Sequence, residues 1–419
     1  MASGYPSASS GSSGGNALPP VSGAPAPDPS AAPAAAARRR ASGAVFGVAI
    51  VAVLLWAALL TVVARGKFGG DPRGFLFLGE RLYHPTAFDG IPRCGRYGYD
   101  GQFYAALATD PFLRSPDTLK ALDAPGYRAS RILIPLLAWC AALGNARGAI
   151  VAYQVLSWTL SVLAVAVVAL WLRDKRRSPW WGLTLAASAG LVTAIFRSTQ
   201  DGDAAFLIVA ALWLAQRQAD VGALGAGSAA NLCRETGYLA PLAVGVHELV
   251  ARRYLRAFLY MAVPLVPQLA WQAYLQATWH PNLRFPASVA APFAGLAGKV
   301  AAVISAQPGL FSQELWGTLG AGTTVAAGLA IAFRRGRLEP PRLAFMAFAA
   351  LALFLAPRAY ADVYGFSRHL IPAPFLAIVL AAREENLVVR TLLISVVATF
   401  SVAGLLMIAG ELRPWIWGP

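Results

Sequence analysis

The chain alternates between long apolar runs and short polar intervals. Residues 44–64 and residues 150–172 are apolar runs of about 21 and 23 residues, each long enough to cross the hydrocarbon core of a bilayer as a helix. Further apolar runs lie at 181–196, 204–215, 221–231, 236–250, 257–278, 318–333, 343–356, 370–382 and 391–409. This pattern predicts an all-α polytopic membrane protein with about 11 hydrophobic crossings.

Two parts of the pattern allow more than one interpretation. The run at 132–143 has only about 12 residues, which is typical of an interfacial or re-entrant helix rather than a full crossing. It would close an enlarged first external loop, 65–147, that contains short interfacial helices. The runs at 221–231 and 236–250 flank Arg234 and Glu235, and we interpret them as a hairpin; one long tilted helix is the alternative.

The arginines between the runs orient the chain. Arg38, Arg39 and Arg40 precede the first run and place the N-terminus in the cytoplasm by the positive-inside rule. The alternating crossings then put the later basic turns inside, namely those with Arg334, Arg335, Arg337, Arg342, Arg383 and Arg390. Five polar clusters fall outside, around Asp100, Asp201, Arg234, Arg284 and Arg368.

The ends of the chain are expected to lie outside the membrane domain, which we place at 44–410. Residues 1–43 are rich in Ser, Gly, Pro and Ala and predict a disordered cytoplasmic tail, since they contain too little apolar surface to fold. Residues 411–419 would form an external tail. A signal peptide is the rival interpretation of the first run, but that run is too long for one.

Composition agrees with a membrane protein and excludes other classes. The chain is 57% hydrophobic and only 13% charged. Its net charge of +15 lies mostly in the turns that orient helices, so we expect no nucleic-acid partner. The three cysteines and four histidines show no spacing that would bind zinc.

The external segment 98–104, Gly-Tyr-Asp-Gly-Gln-Phe-Tyr, places a carboxylate beside the membrane. A turn in which Asp100 bonds the nearby backbone is the simpler explanation of the Tyr99-Asp100-Gly101 tripeptide. A carboxylate in so apolar a chain nevertheless needs water, a cation or a reacting group to hold its charge.

A longer series of motifs carries a family resemblance. The runs GYDGQFYAALATDPF, LDAPGYRASRILIPLLAW, FRSTQDGD and CRETGYLAP, followed by GFSRHLIP, occur in that order. Together they resemble a bacterial family of GT-C-type membrane glycosyltransferases that is associated with cell-surface glycopolymer formation. The family's Glu-Pro after the short arginine loop is Asp201-Gly202 here.

The resemblance implies a GT-C-like fold and an activity. A sugar would pass from a polyprenyl-phosphate donor to a glycan or lipid acceptor at the outer face of the bacterial inner membrane, with Asp100 as the general base. We expect a hexosyltransferase of inverting stereochemistry, because one base suffices for an inverting displacement. Its partners would be the donor, the acceptor and membrane lipids.

The remaining candidate residues are assigned to substrate binding. Arginines suit bidentate phosphate contacts, although each could equally snorkel to headgroups or pair with an acid. The aromatic side chains could stack on a sugar or anchor at the interface. The full set is Tyr99, Gln102, Tyr104, Arg128, Arg131, Arg197, Asp201, Arg234, Glu235, Arg368 and His369.

A metal and two other functions remain open from the sequence. Asp201-Gly202-Asp203 has the form of a DxD motif that would hold Mg or Mn, but an N-cap for a helix at Ala204 explains it equally well. No metal ligand is therefore assigned and no cofactor is required. A transporter or flippase for lipid-linked sugars would use the same outer clusters, and an inactive assembly scaffold would tolerate substitutions in them.

Overall fold

The computed structural model describes residues 31–279, 289–334, 336 and 338–417, and these residues are helical apart from loops and two isolated β-bridges, Leu78 with Arg93 and Val289 with Leu355. The α-helices are α1 (Ala31–Lys67), α2 (Gly101–Thr109), α3 (Pro116–Lys120), α4 (Pro125–Ala129), α5 (Leu133–Ala141), α6 (Ala146–Asp174), α7 (Ala189–Phe196), α8 (Asp201–Gln216), α9 (Asp220–Cys233), α10 (Leu239–Val250), α11 (Tyr254–Ala262), α12 (Val266–Trp279), α13 (Ala294–Ala306), α14 (Gln313–Ala332), α15 (Pro340–Phe354), α16 (Val363–His369), α17 (Pro372–Ala381) and α18 (Leu387–Trp417). Short 3₁₀ helices lie at Pro72–Leu76, Thr86–Phe88, Pro179–Ala187, Glu235–Tyr238 and Val263–Leu265.

The first and last helices extend past the predicted bounds of the membrane domain, 44 and 410, which stay a prediction. Residues 1–40 form one unit, of which the structure describes only the start of α1, and residues 41–419 form the other. Helix α1 begins at Ala31 rather than near residue 44, because the alanines before the arginines have a high helix propensity. At the other end α18 continues to Trp417, beyond the predicted limit at residue 410.

Four described helices are long and apolar enough to cross a membrane, in the segments Ser42–Lys67, Ala146–Asp174, Gln313–Ala332 and Leu387–Arg413. Two bent helix pairs raise the number to six if each pair is one crossing. The chain is thus a multi-pass membrane protein, but the predicted number of about 11 crossings is not confirmed. The reason is length: α8, α9 and α10 have 16, 14 and 12 residues, fewer than the roughly 20 that a straight crossing needs.

The first bent pair divides the run predicted at 181–196, and the second adds α16 in front of the run predicted at 370–382. Pro179–Ala187 and α7 meet at 62°, where Ser188 adopts an extended backbone. Helices α16 and α17 meet at 55°, just before Pro372, whose missing N–H suits the first turn of a new helix. The second bend leaves Arg368 and His369 in the last turn of α16.

Residues 221–250 do not form one continuous helix, since Arg234 is extended and separates α9 from Glu235–Tyr238 and α10. The hairpin stays a prediction. The predicted run at 257–278 is divided instead. Pro264 and Pro267 interrupt it, so that α11, a short 3₁₀ turn and α12 follow one another. Helix α13 has no counterpart in the predicted runs.

Two buried clusters support the polar site. The larger one joins α6, α7, α8, α15, α17 and α18 and contains Trp171, Phe196, Phe345 and Phe375. The smaller one lies under α2 and α5 and contains Leu76, Phe103, Tyr104 and Tyr153. The smaller cluster fixes α2, which begins directly after Asp100.

Candidate active site

The loop before α2 is held in one conformation by the backbone and by Gln102. Gly98 has a φ of +63°, and a Cβ there would come within 2.1 Å of the carbonyl oxygen of Phe77, so only glycine fits. The Gln102 amide accepts a bond from the Gly79 N–H at 2.9 Å and donates one to the Tyr97 carbonyl at 2.9 Å. Both polar groups of Gln102 therefore position the loop.

Asp100 stands at the N-cap of α2, but its carboxylate makes no cap hydrogen bond. Arg128 Nη2 donates to Asp100 Oδ1 at 2.9 Å, and Arg368 Nη1 donates to Oδ2. The turn interpretation, with Asp100 bonded to nearby backbone, does not describe these contacts. Two arginines from distant segments hold the carboxylate.

The ionisation of Asp100 follows from these partners. Burial raises the pKa of the carboxyl, but the positive charges of Arg368 and Arg128 and their hydrogen bonds outweigh burial and hold the pKa well below its ordinary value. Asp100 is therefore an anion throughout the physiological range. A carboxylate that is held by Arg128 and Arg368 is a weak base until these arginines move away from it.

Arg128 and Arg131 extend the cluster toward the loop that follows α9. Arg128 also binds Asp123, with N–O distances of 2.8 and 2.9 Å. Arg131 binds both oxygens of Glu235 and donates to the Tyr104 hydroxyl at 2.9 Å. Burial raises the pKa of Glu235, but the charge of Arg131 outweighs it and the pKa is lowered.

Asp201 completes the cluster from the first turn of α8. Its carboxylate pairs with Arg234, and its second oxygen lies 3.9 Å from Arg368 Nη1. Arg368 therefore bridges Asp100 and Asp201. Both Asp201 and Arg234 are almost fully buried, at 5% and 4% side-chain exposure, so the pair is shielded from water.

Four of the five predicted polar clusters therefore meet in one network, the Asp100 cluster, which we define as Asp100, Asp123, Arg128, Arg131, Asp201, Arg234, Glu235 and Arg368. Its four arginines balance its four carboxylates. Arg284, the centre of the fifth predicted cluster, lies outside the described residues.

The other predicted residues lie beside the network or away from it. The ring centroid of Tyr99 lies 5.3 Å from the guanidinium carbon of Arg368, and the Tyr104 hydroxyl accepts a hydrogen bond from Arg131. His369 bonds the Gly365 carbonyl at 2.9 Å through Nδ1. Arg197 instead pairs with Glu411 at 2.8 Å and covers the ring of Phe77, so its side chain is used elsewhere.

The residues do not fit a Mg or Mn site at Asp201-Gly202-Asp203. Arg234 already neutralises Asp201, and Asp203 lies on another side of the helix, beside Ser157. No group of three His, Cys, Asp or Glu side chains within the described ranges is arranged to hold a metal ion. The N-cap alternative is also wrong, because α8 begins at Asp201 and Gln200 is its N-cap.

Sequence reasoning missed Asp123 and Tyr127. Asp123 binds Arg128 through two hydrogen bonds, and the Tyr127 hydroxyl accepts a bond from Arg131. Their spacing offered a signal: Asp123 and Tyr127 fall in the same short motif as Arg128 and Arg131, around the single turn of α4.

A large cavity of the described residues lies outside the Asp100 cluster. It measures about 650 Å³, lies between α1 and α6, and is lined by Trp56, Leu60, Arg65, Trp158, Val162 and Ile195 among others. Trp158 donates to the Ile195 carbonyl at 2.9 Å, next to the start of the loop that packs on Gly101. The cavity is thus apolar, with one arginine at the end of α1.

Comparison with known proteins yields one solved structure. No family model and no curated protein matches the chain. The crystal structure of ArnT from Cupriavidus metallidurans in the apo state is similar over 86% of this chain and 75% of that chain, with 17% sequence identity and a TM-score of 0.34. A TM-score of 0.34 does not support a functional assignment, which depends instead on the residues of the site.

Proposed function

We propose that this chain is a membrane glycosyltransferase that moves a sugar from a polyprenyl-phosphate donor to a glycan or lipid acceptor, with Asp100 as the general base. The observation that carries the proposal is the Asp100 cluster, in which a carboxylate is held beside four arginines. The motif resemblance of segments 98–112, 122–139, 196–203 and 233–241 agrees with it, because these segments supply the cluster.

The arginines supply the phosphate site. Each guanidinium has five N–H donors, more than the carboxylates of the cluster use. In the described structure the buried Nε atoms of Arg234 and Arg368 have no hydrogen-bond partner. Phosphate oxygens accept such bonds well, and the phosphate gains negative charge as the bond to the sugar breaks. The free N–H groups thus favour an anion that becomes more negative during the reaction.

Donor binding would also prepare the base. A phosphate that takes bonds from Arg368 and Arg128 competes with Asp100 for the same donors. The carboxylate then loses part of the stabilisation that lowers its pKa and becomes a stronger base. The acceptor hydroxyl attacks the anomeric carbon, Asp100 takes the hydroxyl proton, and the carbon–oxygen bond breaks with its electron pair going to polyprenyl phosphate.

The lipid part of the donor requires an apolar surface. The cavity between α1 and α6 offers about 650 Å³ with mostly apolar walls, and Arg65 lies at its polar end. We assign this cavity to the first isoprene units of the donor. Ile195 connects it to the loop of Arg197 and Ser198, whose backbone packs against Gly101.

We place the site at the outer face of the bacterial inner membrane, with the N-terminus in the cytoplasm. Asp201 lies at the start of α8, and Arg217 follows the end of that helix. A helix of 16 residues is about 24 Å long, so the two residues lie at opposite ends of it. The ends opposite the site carry Arg173, Arg217, Arg334, Arg342 and Arg383. Because basic residues favour the cytoplasmic side, the site would face outward.

Asp100→Asn tests the base. Purified in detergent with a radiolabelled polyprenyl-phosphate sugar and acceptor, the variant should lose transfer by about 10²–10⁴-fold, the usual contribution of a general base. It should bind the donor at least as tightly as the parent protein, because a competitor for the arginines is gone. Asp117→Asn, an exposed acid on α3, is the matched control and should transfer normally.

The outcome separates the two main functions. Normal transfer by Asp100→Asn would exclude Asp100 as the base. Donor binding without any transfer by the parent protein in detergent, combined with movement of labelled donor across vesicles, would instead support the transporter or flippase.

A further inference from the structure

A polar stripe runs along the buried face of α6, outside the Asp100 cluster. Gln154, Ser157 and Ser161 recur at spacings of three and four residues, so they share one face of the helix, and each is at most 3% exposed. This face packs against the start of α8. A Cβ on Gly202 would lie 2.0 Å from Ser161 Oγ, which shows how closely the two helices approach.

Asp203 faces this stripe from the first turn of α8. It is fully buried, and the Ser157 hydroxyl is the only described group that approaches its carboxylate as a hydrogen-bond donor. That hydroxyl also lies 3.3 Å from the Thr199 carbonyl and has a single proton to donate, so at least one carboxylate oxygen is left without a donor. The described chain also offers Asp203 no ion pair, since Arg234 is used by Asp201.

A buried carboxylate without an ion pair is costly. The positive end of a helix stabilises a nearby anion by about 0.3–1 kcal/mol, whereas burying an isolated charge costs several kcal/mol. Some positive charge must therefore accompany Asp203. A proton would neutralise the carboxylate, but it would bind to only one of the two carboxylate oxygen atoms.

The surrounding hydroxyls distinguish a metal cation from a proton. Ser161 Oγ and Thr199 Oγ1 are also buried without hydrogen-bond partners in the described structure. Thr199 lies two residues before α8, and its carbonyl accepts a hydrogen bond from Ser157, which places the Thr199 backbone beside the stripe. Ser161 Oγ lies beside Gly202, the residue before Asp203. A hard cation coordinates several oxygen atoms at once and would satisfy all of them.

We propose that Asp203, together with the hydroxyls of Ser157, Ser161 and Thr199, binds one sodium ion at the junction of α6 and α8. The donor set contains only oxygen and carries one negative charge, so a monovalent ion leaves the buried site neutral and a divalent ion does not. The bound ion fixes the first turn of α8 and with it Asp201. The proposal does not depend on the glycosyltransferase assignment.

Thermal unfolding of the purified full chain, without any sugar lipid, tests the site. Sodium chloride replaces N-methyl-D-glucamine chloride at constant ionic strength, and potassium chloride serves as the second comparison. We expect a saturable rise in Tm of at least about 2 °C that is specific to sodium. Equilibrium binding of ²²Na⁺ should give one ion per chain.

Variants connect the effect to the residues. Asp203→Asn should unfold at the same temperature in all three salts and should bind no ²²Na⁺, while Asp117→Asn, an exposed acid, should behave like the parent protein. If Asp203→Asn does not fold, Ser161→Ala provides the test. In this variant the sodium concentration that gives half of the Tm increase should rise at least about threefold. A parent protein whose Tm is the same in all three salts, or that binds no ²²Na⁺, overturns the proposal. So does a stability that depends on pH through Asp203 and not on sodium, since Asp203 would then carry a proton.

Discussion

Asp100 is stabilised as an anion by groups that the proposed donor would also bind. Arg128 reaches it from α4 and Arg368 from α16, and each arginine has a second carboxylate within 4 Å. The arrangement is charge-balanced before any substrate enters. A phosphate can use the unpartnered Nε groups of Arg234 and Arg368, but any further bond to these arginines must share or replace a carboxylate contact, and this makes the ionisation of Asp100 responsive to the donor.

The lowered pKa of Asp100 predicts how its contribution to stability depends on pH. A group whose pKa falls on folding stabilises the protein above its unfolded pKa, near 3.8, and loses this contribution as the pH falls through the folded value. Asp100→Asn should thus lower the free energy of unfolding by roughly 3 kcal/mol between pH 5 and 8, the low end for losing one member of a buried pair. The deficit should shrink below pH 4.

Chemical denaturation of both proteins in detergent at several pH values measures this difference. Asp117→Asn is the control and should show no deficit in that range. A deficit for Asp100→Asn that stays constant down to pH 3 would mean that the ion pairs do not stabilise the folded chain.

At the residue scale, the sequence predicted the acid and most of the arginines but not their pairing. Asp100 stood out because a carboxylate between glycines interrupts an apolar chain, and Arg128, Arg131, Arg234 and Arg368 because the predicted topology puts them on the same side of the membrane as Asp100. Arg197 has the same surroundings in sequence, yet it pairs with Glu411, some 214 residues later. Nothing local to Arg197 distinguishes it, since the choice depends on where α18 packs.

At the scale of elements, the start of α2 depends on close contact between two backbones. A Cβ on Gly101 would lie 2.3 Å from the carbonyl oxygen of Arg197, so Gly101→Ala should push α2 away from the loop before α8. Overpacking of this kind costs about 1–3 kcal/mol, and a displacement of Asp100 by about 1 Å can cost 10²-fold in rate. We expect both a lower Tm and a transfer rate reduced about 100-fold.

Gly225→Ala is the matched control. Gly225 lies inside α9, and a Cβ there meets nothing within 4 Å. This variant should keep its activity and gain about 0.5–1 kcal/mol from better helix propensity. Equal activity of the two alanine variants would show that the Gly101 contact does not position Asp100.

Length alone did not decide how well the elements were predicted. The runs at 44–64, 150–172 and 391–409 lie within the long helices α1, α6 and α18. The run at 257–278 is as long, but Pro264 and Pro267 divide it. Shorter runs became helices that end or bend at Ser188, Arg234 and Pro372. Hydropathy does not reveal whether such a helix faces lipid or packs between others, and this is why the predicted number of about 11 crossings is not confirmed.

At the scale of the whole molecule, one carboxylate joins the first and last membrane helices. Glu411 on α18 binds Lys67 at the end of α1 and Arg197 after α7, both at 2.8 Å, and is only 8% exposed. Glu411→Gln removes both ion pairs. A loss of about 3 kcal/mol should lower the Tm of a chain of 419 residues by about 3–4 °C, while the transfer rate at 25 °C should stay within about threefold, because Glu411 lies outside the Asp100 cluster.

Glu385→Gln serves as the control, since Glu385 is exposed in the turn before α18 and has no ion pair in the described structure. Differential scanning fluorimetry and initial rates on the same preparations measure both effects. An unchanged Tm for Glu411→Gln would mean that these pairs contribute nothing to the packing of α1 and α18.

The pairing of Asp100 with Arg368 has a consequence for biogenesis. The two residues are 268 positions apart, so a ribosome that adds about 5–20 residues per second delivers Arg368 roughly 13–54 s after Asp100. During that interval Asp100 has only Arg128, and Asp201 has only Arg234 once α9 is complete. Arg368 thus joins last, and a nascent chain that stalls before α16 would expose a half-neutralised polar surface to the insertion machinery and to quality-control proteases.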